Sequence, residues 1–142
     1  MGCADVGMMQ RRSFHRGVFL AAGIYNIAWG LYASIDPQWL FRFAGMPPIN
    51  YPEIFACLGM VVGLYGIVYI DIARVPERGS LYAAIGLAGK ILGPIGWLTL
   101  VAGGRWPVAT IVLCATNDLI WWIPFALYLY DARAPTAFSA SG

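Results

Sequence analysis

Charged side chains are scarce in this sequence. Asp, Glu, Lys and Arg make up 11% of the residues, whereas hydrophobic residues make up 60%. So small a polar fraction cannot cover the surface of a water-soluble domain of 142 residues. The formal net charge of +2 is also small, and the basic residues form no run, so we expect no nucleic-acid partner. The composition instead indicates a protein whose solvent is the lipid bilayer.

Histidine and cysteine are nearly absent as well. The single histidine is His15, and the three cysteines, Cys3, Cys57 and Cys114, are far apart and form no C-x-x-C motif. Because metal sites are built from clusters of such residues, we predict neither a metal site nor another cofactor. Cys57 and Cys114 are expected in the outer half of the membrane, where a redox-active disulfide is the alternative to two inert thiols.

The sequence contains long apolar runs. A helix needs about 20 apolar residues to cross a hydrocarbon core of about 30 Å. Four segments approach or reach this length: 14–35, 54–70, 81–102 and 108–130. The second is short, and its flanking residues 52–53 and 71–73 are needed to complete a crossing.

A short fifth helix is predicted over residues 37–44, lying on the outer membrane surface. Asp36 followed by Pro37 is typical of a helix start, and Gly45 to Pro48 would end the helix. The connections between spans two and three and between spans three and four are short, which favours antiparallel neighbours. We therefore predict an all-α fold, with residues 1–142 forming one integral membrane four-helix bundle.

Arginines predict the direction of the spans. Those expected on one side are Arg11, Arg12, Arg16, Arg74, Arg78 and Arg133, and those on the other are Arg42 and Arg105. By the positive-inside rule, both termini are cytoplasmic, as in a multi-pass protein of the cell inner membrane. A cleaved twin-arginine export signal starting at Arg11 is the alternative, but Asn26 and Trp29 interrupt its apolar stretch.

Four polar side chains interrupt the predicted spans: Asn26 in the first, Lys90 in the third, and Asn117 and Asp118 in the fourth. An isolated charge inside a membrane helix costs about 2.5–3.5 kcal/mol, so these charges need partners. At 1.5 Å per residue, Asn26, Lys90 and Asp118 lie about 14–18 Å from the same side, in one layer near the midplane. Our hypothesis is a buried Lys90–Asp118 ion pair assisted by the two asparagines. Such a layer is either a structural lock or a ligand or proton site.

Pro94 coincides with this layer. A proline inside a helix leaves the carbonyl four residues earlier without its donor, and here that carbonyl belongs to Lys90. Free carbonyls beside a buried charge are typical of membrane binding sites. Aromatic residues near this depth are candidates for a pocket wall, with ordinary packing as the alternative. The candidates are Tyr65, Trp97, Trp121 and Trp122.

Four strings resemble those of a bacterial family of small four-span membrane proteins. They are YNIAWG at 25–30, GMVVGLYG at 59–66, GLAGKILGPIG at 86–96 and NDLIWWIPF at 117–125. The architecture is also similar to that of DoxX-type four-helix proteins. Some family members carry an alkyl hydroperoxide reductase label, which this sequence does not support, because it has no peroxidatic cysteine motif. The resemblance implies four spans and no particular activity.

Three functions are compatible with these patterns. The leading hypothesis is a protein that binds or transports a small polar ligand or a proton at the Lys90, Asp118, Asn117 and Asn26 layer. The second is an accessory subunit of a larger membrane complex, with the polar layer as an internal lock. The third is a DoxX-like, quinone-linked or thiol-linked redox protein. No catalytic residue is assigned, and we expect a binding protein rather than an enzyme.

Two glycine-rich helix faces predict self-association, because small residues let helices approach closely. One is Gly89-x-x-x-Gly93 in the third span, and the other is the stripe of Gly59, Gly63 and Gly66 in the second. The expected partners are therefore the lipid bilayer and further copies of the chain.

Overall fold

The computed structural model describes residues 3–133, with side chains from Met9 onward. Residues 1–2 and 134–142 of the predicted single domain lie outside this range. Every regular element in the described range is helical. The six α-helices are α1 (Cys3–Ile35), α2 (Trp39–Phe43), α3 (Pro52–Arg74), α4 (Ser80–Ala102), α5 (Ile111–Cys114) and α6 (Ile120–Ala132). Short 3₁₀ turns at Pro76–Arg78 and Val108–Thr110 and a π-helical turn at Ala115–Leu119 complete the regular structure.

Four helical segments are long and apolar enough to cross a membrane: Met9–Ile35, Pro52–Arg74, Ser80–Ala102 and Val108–Ala132. This confirms the all-helical class and the four long apolar helices predicted from the sequence. The fourth segment runs without a break through α5, the π turn and α6. The second segment has 23 residues, because α3 includes the flanking polar residues on both sides of its apolar centre.

α1 and α3 pack backbone against backbone through glycines. A methyl group on Gly66 would lie 2.6 Å from the carbonyl oxygen of Gly23, and one on Gly30 would lie 2.5 Å from that of Gly59. Only residues without a side chain permit so close an approach. The glycine stripe of α3, predicted as a surface for self-association, is thus occupied by α1 of the same chain.

Buried aromatic rings fill the bundle at one level. We call this cluster of Phe19, Tyr69, Phe125 and Tyr128 the aromatic layer; each ring is at most 2% exposed. The ring of Phe19 lies 4.5 Å from that of Phe125 and 4.8 Å from that of Tyr128, measured between centroids. Tyr69 meets Phe125 edge to face at 5.2 Å. Residues from α1, α3 and α6 are held together here.

The bundle has two distinct ends. The arginine end holds the α3–α4 connection together with Arg11, Arg12, Arg16, Arg74 and Arg78. The opposite end, which we call the α2 end, is covered by α2, where Leu40 and Phe41 are buried. The ring of Phe41 packs against those of Phe55 at 5.4 Å and Trp106 at 6.3 Å.

α2 is shorter than the predicted helix. It begins at Trp39, two residues after the expected start at Pro37, and Asp36 does not cap it through its side chain. The Asp36 carboxylate instead pairs with the guanidinium of Arg42, further along the chain. That hydrogen-bonded partner lowers the pKa of Asp36. The ion pair holds the chain where it leaves α1.

Candidate functional site

A cavity of about 550 Å³ lies among α1, α3, α4 and the fourth segment. Its lining is mainly aliphatic and aromatic, and includes Trp29, Phe55, Tyr69 and Trp97. The polar residues predicted to share one layer also line it: Asn26, Lys90, Asn117 and Asp118. Three long helices thus bring their polar side chains to one apolar chamber, a composition typical of small-molecule sites.

Lys90 is buried in this chamber, with only 4% of its surface exposed. Its Nζ donates a 2.6 Å hydrogen bond to the backbone carbonyl of Asn117. The same Nζ lies 5.8 Å from the ring centroids of Tyr69 and Trp121, and 5.9 Å from that of Phe125. A carbonyl and three aromatic faces therefore stabilise the ammonium group.

The predicted direct ion pair is not formed. No contact within 4.0 Å joins Lys90 Nζ to a carboxylate oxygen of Asp118, although both residues line the cavity. The Asp118 carboxylate accepts a 2.8 Å bond from Asn117 Nδ2 instead. Its other oxygen faces Gly93, where a methyl group would lie 2.9 Å away. Both charges thus stay at the cavity wall, each with its own neutral partner.

The π turn at Ala115–Leu119 makes these contacts available. A π turn breaks the regular bonding of an α-helix, and such turns occur frequently at functional sites. Within it, the Asn117 carbonyl accepts from Lys90, and the Thr116 carbonyl accepts from the indole Nε1 of Trp121 at 3.0 Å. Nothing in the residue pattern of the fourth span predicted this turn.

Pro94 has the predicted effect on Lys90. The Lys90 carbonyl has no helical donor at position 94, and the indole Nε1 of Trp122 supplies a 2.8 Å hydrogen bond to it. Lys90 is thus bonded to the fourth segment at two points, through its side chain and through its backbone. α4 and the fourth segment are fixed to each other beside the cavity.

Three polar atoms at the cavity lack any partner. Asn26 Oδ1, Asn117 Oδ1 and Trp29 Nε1 are all buried without a hydrogen bond, and all three residues line the cavity. Buried polar atoms in folded proteins are nearly always bonded, so such exceptions need a reason. Each of these atoms is covered by protein, so a molecule in the cavity would contact it only after the side chain turned toward the cavity.

The cavity opens sideways, between α3 and α4. Exposed residues of both helices line it, among them Leu58 and Val61 of α3 and Gly89 and Leu92 of α4. A methyl group on Gly89 would have no neighbour within 4 Å, so this glycine borders open space. α3 packs mainly on α1 and α4 packs mainly on the fourth segment, while α3 and α4 contact each other little. In a membrane this opening would face the lipid.

The aromatic candidates divide into two groups. Tyr65 and Trp97 line the cavity, and Trp97 is held there by a 2.8 Å bond from its Nε1 to Thr110 Oγ1. Trp121 and Trp122 lie outside the lining and bond backbone carbonyls instead. Sequence reasoning missed Trp29, although it follows Asn26 by three residues and so shares its helix face.

A second polar cluster lies at the arginine end. His15 is fully buried, and its Nε2 is 2.9 Å from Asp131 Oδ2, while Arg11 Nη1 bonds Oδ1 of the same carboxylate at 3.3 Å. No local pattern of residues predicts this cluster, because its members come from opposite ends of the chain. The buried aromatic layer separates it from the cavity.

Cys57 and Cys114 are free thiols. Cys114 is buried and lines the cavity, whereas Cys57 is exposed on α3. Among the side chains from Met9 to Arg133, no three His, Cys, Asp or Glu residues come together as metal ligands.

Comparisons of this chain with protein-family models, curated proteins and solved structures give no match. The resemblance to a DoxX-like four-span family stays a prediction. Function is therefore argued from the cavity itself.

Proposed function

We propose that this chain is a four-span protein of the cell inner membrane that binds a small amphipathic molecule in the cavity between α3 and α4. The observation that carries the proposal is a cavity of about 550 Å³ whose mainly apolar wall is interrupted by Asn26, Lys90, Asn117 and Asp118. That volume lies within the range of about 300–1,000 Å³ that is usual for small-molecule sites.

The lining defines the chemistry of the ligand. Most of the wall is apolar, which suits a hydrocarbon or ring system as the body of the molecule. At the polar wall, the Lys90 ammonium and the Asn26 amide nitrogen can donate, while the Asp118 carboxylate can accept. The head group must therefore both donate and accept hydrogen bonds, as a hydroxyl or a primary amide does.

The geometry favours binding over conduction of a proton or solute. Toward the arginine end, the buried rings of the aromatic layer lie between Lys90 and the buried pair of His15 and Asp131. Among the described residues, no series of hydrogen-bonded polar side chains crosses this layer. Toward the α2 end, Phe41 and Phe55 pack over the bundle. Intramembrane proton relays depend on linked polar groups, so the side opening is the better route for a ligand.

The direction of the spans rests on charge. Six arginines lie at or near the arginine end, and of the two others, Arg42 is paired with Asp36. The positive-inside rule then places both termini in the cytoplasm. A fluorescent protein that matures only in the cytoplasm should fluoresce when it is fused after the last residue. An alkaline phosphatase fused at the same position should be inactive. The opposite pattern would reverse the orientation.

Asn26→Leu tests ligand binding. Because Asn26 Oδ1 has no partner in the protein, an apolar side chain of similar size should leave the unfolding temperature equal or higher. A ligand bonded to the Asn26 amide should lose affinity about tenfold, the equivalent of about 1.4 kcal/mol. Native mass spectrometry of both proteins from native membranes measures occupancy. Equal occupancy in both proteins, or an empty wild type, would contradict the proposal.

A further inference from the structure

A second groove runs along the outside of the bundle at the arginine end, between α1 and α3. It encloses about 320 Å³ and is lined by Arg16, Gly17 and Leu20 of α1 together with Ile70 and Arg74 of α3, among others. We call it the arginine groove. It is separate from the ligand cavity, and no residue lines both.

The guanidinium of Arg16 is held in place. Its Nε donates a 3.0 Å hydrogen bond to the backbone carbonyl of Ala73 on α3, which leaves the two terminal nitrogens available. A guanidinium fixed in this way loses little freedom when it binds an anion. The contact also joins the two helices that form the groove.

The arginines of the groove, Arg16 and Arg74, form no salt bridge among the described side chains. Its neighbours Arg11 and Arg12 are paired with Asp131 and Glu77. By contrast, no carboxylate among the side chains from Met9 to Arg133 lies within 4.0 Å of Arg16 or Arg74. Glu77 lies near enough to interact with Arg16 through space, but both guanidiniums of the groove keep nitrogens that are free to bind an external anion.

The groove is polar at one end and apolar at the other. On α1, Leu20 lies one turn deeper than Arg16, and on α3, Ile70 lies one turn deeper than Arg74. One turn of this kind is about 6 Å along the helix. Gly17 adds open space at the same level, since a methyl group there would have no neighbour within 4 Å.

We propose that the arginine groove binds an anionic phospholipid, with its phosphate on Arg16 and Arg74 and the start of its acyl chains on Leu20 and Ile70. The order of charge and apolar surface along the groove matches that of a lipid crossing from head group to hydrocarbon. Basic pockets between membrane helices are established sites for anionic head groups. The inference depends on the four-span membrane placement and is independent of the ligand in the cavity.

Native mass spectrometry in mixed micelles tests the site with equal amounts of phosphatidylglycerol and phosphatidylcholine of the same chain length. The wild type should carry phosphatidylglycerol in excess. The double variant Arg16→Gln/Arg74→Gln should lose that preference, because each arginine should contribute roughly fivefold to the ratio of bound phosphatidylglycerol to bound phosphatidylcholine. Arg105→Gln is the matched control, since Arg105 is exposed at the α2 end without a carboxylate partner among residues 9–133.

Gly17→Leu gives a second, steric test that keeps every charge. It should fill the groove and reduce the phosphatidylglycerol adduct, and Arg74→Gln alone should give half of the double variant's effect on a logarithmic scale. Inorganic phosphate at millimolar concentration should not displace the lipid if the acyl chains contribute. A wild type without preference, an unchanged preference in the arginine variants, or full displacement by phosphate would overturn the proposal.

Discussion

The indole Nε1 of Trp122 lies 2.8 Å from the carbonyl oxygen of Lys90 and donates a hydrogen bond to it. The helical donor of that carbonyl would be the N–H of residue 94, which is a proline. The side chain of the same lysine donates back to the Asn117 carbonyl. Because of these two hydrogen bonds, α4 can hold Lys90 and Pro94 one turn apart while the Lys90 carbonyl still has a donor.

Trp122→Phe should destabilise the protein by about 1–3 kcal/mol, the cost of an unsatisfied buried carbonyl. In a Pro94→Ala background the cost should be smaller, because an alanine at this position would restore a helical N–H donor to the Lys90 carbonyl. The measurement is a double-mutant cycle of unfolding free energies from denaturant titration in micelles. An equal cost of the tryptophan change in both backgrounds would mean that Trp122 does not replace the missing donor.

The α1–α3 contact predicts a difference between two glycines on neighbouring turns of α3. Gly66→Ala should cost about 1–3 kcal/mol, because its methyl group would lie 2.6 Å from the Gly23 carbonyl oxygen and the backbones would have to separate. Gly63→Ala is the matched control, since its methyl group would have its nearest neighbour at 3.8 Å. Thermal unfolding measures both. Similar effects of the two changes would contradict the close glycine contact.

Glu77 predicts a pH dependence at the α3–α4 connection. The guanidinium of Arg12 donates a 2.7 Å hydrogen bond to Glu77 and lowers the pKa of that carboxyl. A depressed folded pKa adds stability above the unfolded pKa, and this stability is lost as the pH falls through the folded pKa. The side chains are 41% and 47% exposed, so solvent screening should limit the effect to less than about 1 kcal/mol.

The unfolding temperature, followed from about pH 6 down to about pH 3, measures this contribution. Wild type should lose more stability over that interval than Glu77→Gln, and Arg12→Gln should flatten the curve in the same way. Identical curves for wild type and both variants would show that the ion pair does not link α1 to the connection.

Much of the fold was accessible from the sequence, because span length and apolar composition depend only on local residues. The shared depth of Asn26, Lys90 and Asp118 also followed from the helical rise, and the structure brings these residues to one cavity. The use of Pro94 to free the Lys90 carbonyl was predicted, although its acceptance of the Trp122 indole was not.

Other features of the site could not be predicted, because they depend on how helices rotate against each other. Lys90 bonds the Asn117 carbonyl and not the Asp118 carboxylate. This contact depends on the π turn, which the spacing of the residues does not predict. The pairing of His15 with Asp131 joins two ends of the chain. The glycine stripe of α3 suits any close neighbour, and the sequence does not say that this neighbour is α1.

The central claim is that the cavity between α3 and α4 holds a ligand, and the most direct test is to fill it. Gly89→Leu places a side chain into open space at the cavity mouth, and Gly17→Leu does the same at the arginine groove. Native mass spectrometry of protein from native membranes should find a small-molecule adduct on wild type and Gly17→Leu and none on Gly89→Leu. An adduct of equal occupancy on all three proteins, or no adduct on the wild type, would contradict the account.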